Sequence, residues 1–125
     1  MVDRTTGEVT ELAEFLENHP PTVMFGDGSV VCIPTHGHTP GHQSIRVRIG
    51  NDEVVMTGDA CYLQRTLDNF HLPTAMYDRD QMIESIRRLR AIRDGGAMII
   101  TGHDPDLWKT IPQAPNRLAA VARAV

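Results

Sequence analysis

The chain has 125 residues, 41% of them hydrophobic and 22% charged, with a formal net charge of −4 at pH 7. That is enough for one domain with a real core and too little for two. The acidic balance offers no electrostatic grip on nucleic acid or an anionic membrane, and no apolar run approaches the roughly 20 residues that span a bilayer.

The segment from Met1 to Glu8 is polar and does not read as a signal peptide. Thr10 to Asn18 carries Leu12, Phe15 and Leu16 at helical spacing, and Pro20-Pro21 stops that predicted helix. Thr22–Phe25 and Ser29–Ile33 flank Gly26-Asp27-Gly28, the pattern of a hairpin with an Asp-Gly turn. Ile45, Val47 and Ile49 alternate with Arg46 and Arg48, as in a half-buried strand. Gly50-Asn51-Asp52 turns the chain into a second apolar strand, Glu53–Thr57. Ala60 to Tyr77 reads as one long irregular stretch. Asp78 then caps an amphipathic helix with Met82, Ile83, Ile86, Leu89 and Ile92 on one face and its arginines on a solvated face, ended by Gly95-Gly96. Ala97–Ile100 is a short apolar strand, and Pro105–Thr110 and Asn116–Ala124 are predicted helices.

These elements describe a mixed α/β layer. The strands around Val54 and Ile99 are apolar on both faces, yet the chain has too few helices to cover both sides of its own sheet. A sheet face therefore needs a partner, either another part of a larger sandwich or a second copy. Cys32 and Cys61 lack C-x-x-C spacing and read as reduced, buried thiols of a cytoplasmic protein, with a disulfide ranked behind.

Three imidazoles fall within Thr35-His36-Gly37-His38-Thr39-Pro40-Gly41-His42. Thr57-Gly58-Asp59 and Thr101-Gly102-His103-Asp104 follow two later predicted strands. Taken singly, a loop histidine is a hydrogen-bonding or surface residue and an Asp after Gly is a turn. Taken together, His42, Asp59 and His103 place imidazole and carboxylate donors at strand ends, which suits a zinc-type ion.

The runs Gly37-His38-Thr39-Pro40-Gly41-His42-Gln43-Ser44, Thr57-Gly58-Asp59-Ala60-Cys61-Tyr62 and Thr101-Gly102-His103-Asp104-Pro105 closely resemble the metallo-β-lactamase superfamily, and within it the N-acyl-homoserine lactonase branch. The resemblance runs from about Asp27 to Asn116. It implies the C-terminal half of a four-layer αββα fold, one sheet with its helices. It also implies metal ligands His42, Asp59 and His103, up to two zinc ions bridged by Asp59, and catalytic roles for Asp59 and for Tyr62, the latter assisting the substrate carbonyl. His38 falls at a position that is structural in the turn, and His36 where many relatives have proline.

The H-x-H-x-D-H run that supplies the remaining ligands in complete members does not occur in this chain. The expectation is therefore a single half-domain over residues 1–125, with residues 1–8 and 117–125 flexible or peripheral. It would act on a small ester or lactone with no nucleic-acid or membrane partner, would be weak in metal binding and catalysis alone, and would be completed by an N-terminal half or a homodimer. Two alternatives stand beside the lactonase reading: a glyoxalase-II-like thioesterase, and a truncated, non-catalytic domain that associates through its exposed sheet face. Among other residues, His19 is read as a helix C-cap, His71 as a surface residue, Cys61 as a core thiol, and Phe70, Leu72, Met76 and Tyr77 as loop anchors.

Overall fold

The computed structural model describes residues 17–118. The helix expected at Thr10–Asn18 lies outside them except for Glu17 and Asn18, which are helical. Residues 1–8 also lie outside, as does residue 119 onward; Asn116 to Leu118 are not helical.

Five strands form one sheet in chain order: β1 (Thr22–Val23), β2 (Val30–Pro34), β3 (Gln43–Ile49), β4 (Asp52–Met56) and β5 (Met98–Ile100). The first four are antiparallel neighbours, and β5 joins β4 in parallel. The β4–β5 crossover contains a single-turn 3-10 helix (Gly58–Ala60), then α1 (Gln64–Asn69) and α2 (Arg79–Asp94); α3 (Pro105–Thr110) follows β5. The expected hairpin is present, but β1 stops at Val23 and the connection is wider than a two-residue turn. Asp27 accepts from the N–H and hydroxyl of Ser29 instead of sitting in a tight Asp-Gly turn.

The stretch read as irregular between Ala60 and Tyr77 holds α1. Its six residues show too little periodicity to announce a helix, and it ends with Phe70 in the left-handed region at φ 55°. Leu67 supplies its buried side chain. The Asp78 cap of α2 is present, its carboxylate accepting from the Gln81 N–H at 3.0 Å.

Cross-strand register sorts the side chains onto two faces. Val31, Arg46, Val55 and Ile99 share one row, and α2 covers the β4–β5 end of it with Ile86 and Leu89. The opposite face carries two apolar rows, Val30, Val47, Val54, Met98 and Cys32, Ile45, Met56, Ile100. Ile111 and Leu107 pack over Val54 and Ile100. Met56 stays 44% exposed between Ile45 and Ile100, and Met24 and Phe25, which follow β1 at the far edge of the sheet, are exposed as well.

Two smaller residue readings, at Arg88 and Tyr77, are corrected. Arg88 does not belong to a solvated arginine face: it is 6% exposed and donates to the backbone oxygens of His19 and Pro34, tying the chain before β1 to the end of β2. The His19 ring stacks edge-on against His36 at 4.9 Å. The Tyr77 side chain is 67% exposed and holds nothing to the core, the residue being tied to the histidine loop by its backbone N–H, which donates to the Gly37 oxygen at 2.9 Å. Phe70 and Leu72 pack on the core as expected. Cys32 and Cys61 are both buried and free, which removes the disulfide alternative. No helix among the described residues is long and apolar enough to cross a membrane.

Candidate metal centre

The strand directions explain why three distant motifs meet. β2 is antiparallel to β3 and β3 to β4, so β2 and β4 run the same way, and β5 is parallel to β4. The C-terminal ends of β2, β4 and β5 therefore open at one rim. The β2–β3 loop delivers His38 and His42, the turn after β4 delivers Asp59, and the turn after β5 delivers His103.

Glycines let these turns touch. Gly58 has φ +56°, a left-handed conformation that only glycine adopts cheaply. A Cβ there would also come within 3.2 Å of the His42 Nε2 atom. A Cβ on Gly102 would run into the Gly58 carbonyl, so the two turns pack backbone against backbone. The Gly102 N–H donates to the Cys61 oxygen and the His103 N–H to the Tyr62 oxygen, both at 3.0 Å.

Asp59 is the hub. Its Oδ1 lies 2.7 Å from His103 Nε2 and its Oδ2 lies 3.4 Å from His38 Nε2. Its backbone N–H donates to His42 Nε2 at 3.1 Å. The Tyr62 ring packs 4.5 Å from that of His103 and 5.9 Å from that of His38. The hydrogen bond from His103 holds the Asp59 carboxyl below its ordinary range, with the neighbouring histidines adding to it against a desolvation cost. Burial lowers the His42 imidazole, so the ring favours its neutral form. Asp104 is likewise lowered, by the backbone N–H groups of Gln64 and Leu107, and so fixes both α1 and the start of α3 beside the rim.

Sequence reading missed part of this. His38 was expected to donate within its own turn; instead it reaches across to Asp59, and the turn is closed by backbone bonds from Gly37 and His42 to the Thr39 oxygen. Its Nδ1 is buried without a hydrogen-bond partner. Thr35 and Ser44 were not singled out, yet the Thr35 hydroxyl lies 3.0 Å from His42 Nδ1 and 2.8 Å from the Ser44 hydroxyl. Their only signal in the sequence was polarity at the two strand ends bordering the histidine loop.

The donor types suit a zinc-type cation: an unprotonated imidazole nitrogen at His42, occupied here by the Asp59 backbone N–H, an ionised carboxylate at Asp59, and a second imidazole at His103. The arrangement is closed. Two donors on one tetrahedral zinc stand about 3.3 Å apart, and the Asp59–His103 contact is a shorter hydrogen bond. Among the described residues, no group of three or more His, Cys, Asp or Glu side chains is placed to hold a metal ion. The residues fit such an ion in kind and do not complete a site by themselves.

The profile of the Metallo-beta-lactamase superfamily matches residues 17–103, which include His42, Asp59 and His103. The chain belongs to that superfamily. It is 38% identical over 98 residues to the N-acyl homoserine lactonase AttM of Rhizobium radiobacter, covering 74% of this chain and 36% of that protein. It is also 35% identical over 101 residues to a probable metallo-hydrolase of Mycobacterium tuberculosis, covering 71% of this chain and 32% of that one. Among solved structures, an N-acyl homoserine lactone hydrolase with the product N-hexanoyl-L-homoserine bound at its catalytic metal centre superposes with a TM-score of 0.62 at 30% identity. That alignment covers 70% of this chain and 36% of the other. The chain thus spans about a third of the length of the superfamily relatives it matches. It shares the metallo-β-lactamase fold with them.

Proposed function

We propose that this chain supplies the C-terminal sheet layer, and the metal donors His42, Asp59 and His103, of a hydrolase that opens an ester or lactone ring. The observation that carries the reading is the meeting of those three residues around Asp59 at one rim of the sheet, at 2.7 and 3.1 Å. The lactonase relatives support the substrate class. A bound divalent ion there would supply Lewis acidity toward a carbonyl and toward water.

The chain's own residues have definable tasks beside it. Asp59 contributes the negative charge that would help hold a cation at the rim. Tyr62 stands next to both Asp59-bound imidazoles, where its hydroxyl can donate to an oxyanion developing on the substrate. His38 steadies the second carboxylate oxygen of Asp59. The remaining donors, and the cover for the apolar face around Met56, come in this reading from an N-terminal half or a second copy.

The test is zinc binding, followed by hydrolysis of an N-acyl homoserine lactone, by the chain alone and mixed with the N-terminal half of a lactonase relative. Recovery of hydrolysis on mixing is expected, and Asp59→Ala should lower zinc binding more than His38→Ala. Equal losses would mean that the ligands are wrongly assigned. The exposed Met24, Phe25 and Met56 favour a second reading, a non-catalytic domain that only associates. Under that reading the mixture stays inactive at every zinc concentration.

A further inference from the structure

Three hydrogen bonds beneath the rim have a direction that can be worked out. The Thr57 carbonyl can only accept, so the Ser44 hydroxyl 3.2 Å away donates to it. Ser44 has then used its one proton, and its 2.8 Å contact with Thr35 requires Thr35 to donate. Thr35 has likewise used its proton, so its 3.0 Å contact with His42 requires the ring to donate from Nδ1–H. The opposite end of the ring gives the same answer independently. The Asp59 backbone N–H can only donate, so the Nε2 atom that it meets at 3.1 Å is unprotonated.

We propose that Thr35 and Ser44 are positioning residues that hold His42 as its Nδ1–H tautomer, keeping the Nε2 lone pair aimed at the Asp59 side of the rim. The device is a one-way relay, from His42 Nδ1–H through the Thr35 and Ser44 hydroxyls to the Thr57 carbonyl. Both residues are fully buried, so water does not compete to reverse either hydroxyl. The relay is also rigid, because Ser44 belongs to β3, Thr35 directly follows β2 and Thr57 directly follows β4. A ligating imidazole needs its non-ligating N–H fixed by a partner, which sets its tautomer and ring orientation. Here that partner is a threonine hydroxyl whose own proton is committed elsewhere. The role toward a metal rests on the reading of His42 as a donor; the tautomer itself does not.

The test is a long-range proton–nitrogen correlation spectrum of the 15N-labelled, chelator-treated chain at pH 7.5, with the His42 signals assigned through His42→Gln. The wild-type ring is expected to show a protonated Nδ1 and a bare Nε2. Ser44→Ala frees the Thr35 proton to point at the ring, so the Nε2–H form becomes populated. Thr35→Ser preserves the relay and should keep the wild-type pattern. In a competition titration with zinc alone, Ser44→Ala should bind roughly 10- to 100-fold more weakly, and Thr35→Ser as the wild type does. A wild-type ring protonated at Nε2 overturns the proposal whether or not the variants fold, and so does Ser44→Ala with an unchanged spectrum. A wild-type chain that shows the expected tautomer and binds no zinc even when mixed with the N-terminal half of a lactonase relative supports the relay and removes the metal reading.

Discussion

Asp59 and Cys61 are two residues apart and live in opposite environments. Asp59 lies at the rim among donors that favour its charge, the His103 imidazole foremost. Cys61 points into the core with Ala60, Leu67 and Ile86, and burial pushes its thiol up to about 12. The thiolate is the reactive form, so the native Cys61 should resist a thiol reagent at pH 8 and react only after denaturant is added. Rapid labelling of the native residue would contradict its burial. The histidines set a pH dependence. Burial lowers His42 and His36 in the fold from their ordinary value of 6.5. Below about pH 6.5 the unfolded chain therefore binds more protons than the folded one, and stability falls as the pH drops until the folded values are passed. Asp59 and Asp104, held below 3.8, add a second loss at more acidic pH as they become protonated. Urea unfolding midpoints should drop between pH 7.5 and 5.5, and His36→Gln should shrink that drop. A flat profile would mean that neither ring is disfavoured as the cation.

Among the elements, α2 does the most to position the rim. Met82, Ile86 and Leu89 are fully buried, and the Ser85 hydroxyl donates to the His36 oxygen at 2.6 Å, clamping the histidine loop onto the helix. Gly37 lies so close to α2 that a Cβ would collide with the Met82 backbone. Arg90 stacks 4.5 Å over Phe70 and donates to the carbonyls of Leu67 and Asp68, joining α2 to the end of α1. Leu89→Ala should therefore cost about 2–5 kcal/mol by opening a cavity against Val55 and Ile99. It should lower the denaturation midpoint with little change in slope. A loss well under that range would mean that α2 rests on the sheet more loosely than its burial indicates.

For the whole molecule, the unequal cover of the two sheet faces is the main physical fact. The face bearing Val47, Ile45, Met56 and Cys32 is apolar across three strands, and α3 shelters only the β4–β5 side among the described residues. Removing apolar area from water is worth roughly 25 cal/mol per Å², so this face favours association over exposure. The purified chain should scatter light with a mass above its 13.9 kDa, and Val47→Lys should return it toward that value. A wild-type monomer at high concentration would argue against a partner for this face.

The amino-acid sequence by itself announces the layer type, the strands β2 to β5 along the chain, the α2 cap and the three glycine-rich motifs, but not the order of the strands in the sheet. Each of these rests on local patterns: alternation of two, a period near 3.6, and turn residues at fixed spacing. It also carried the family, because the motifs are contiguous runs. Tertiary packing alone brings β2, β4 and β5 to one rim, carries His38 to Asp59, buries Arg88, and sets the Thr35 hydroxyl at His42 Nδ1 with the Ser44 hydroxyl behind it. Those facts join residues as far apart as His103 and Asp59, or Arg88 and His19. They are set by register and by the packing of α2 on the sheet, for which no local spacing leaves a trace.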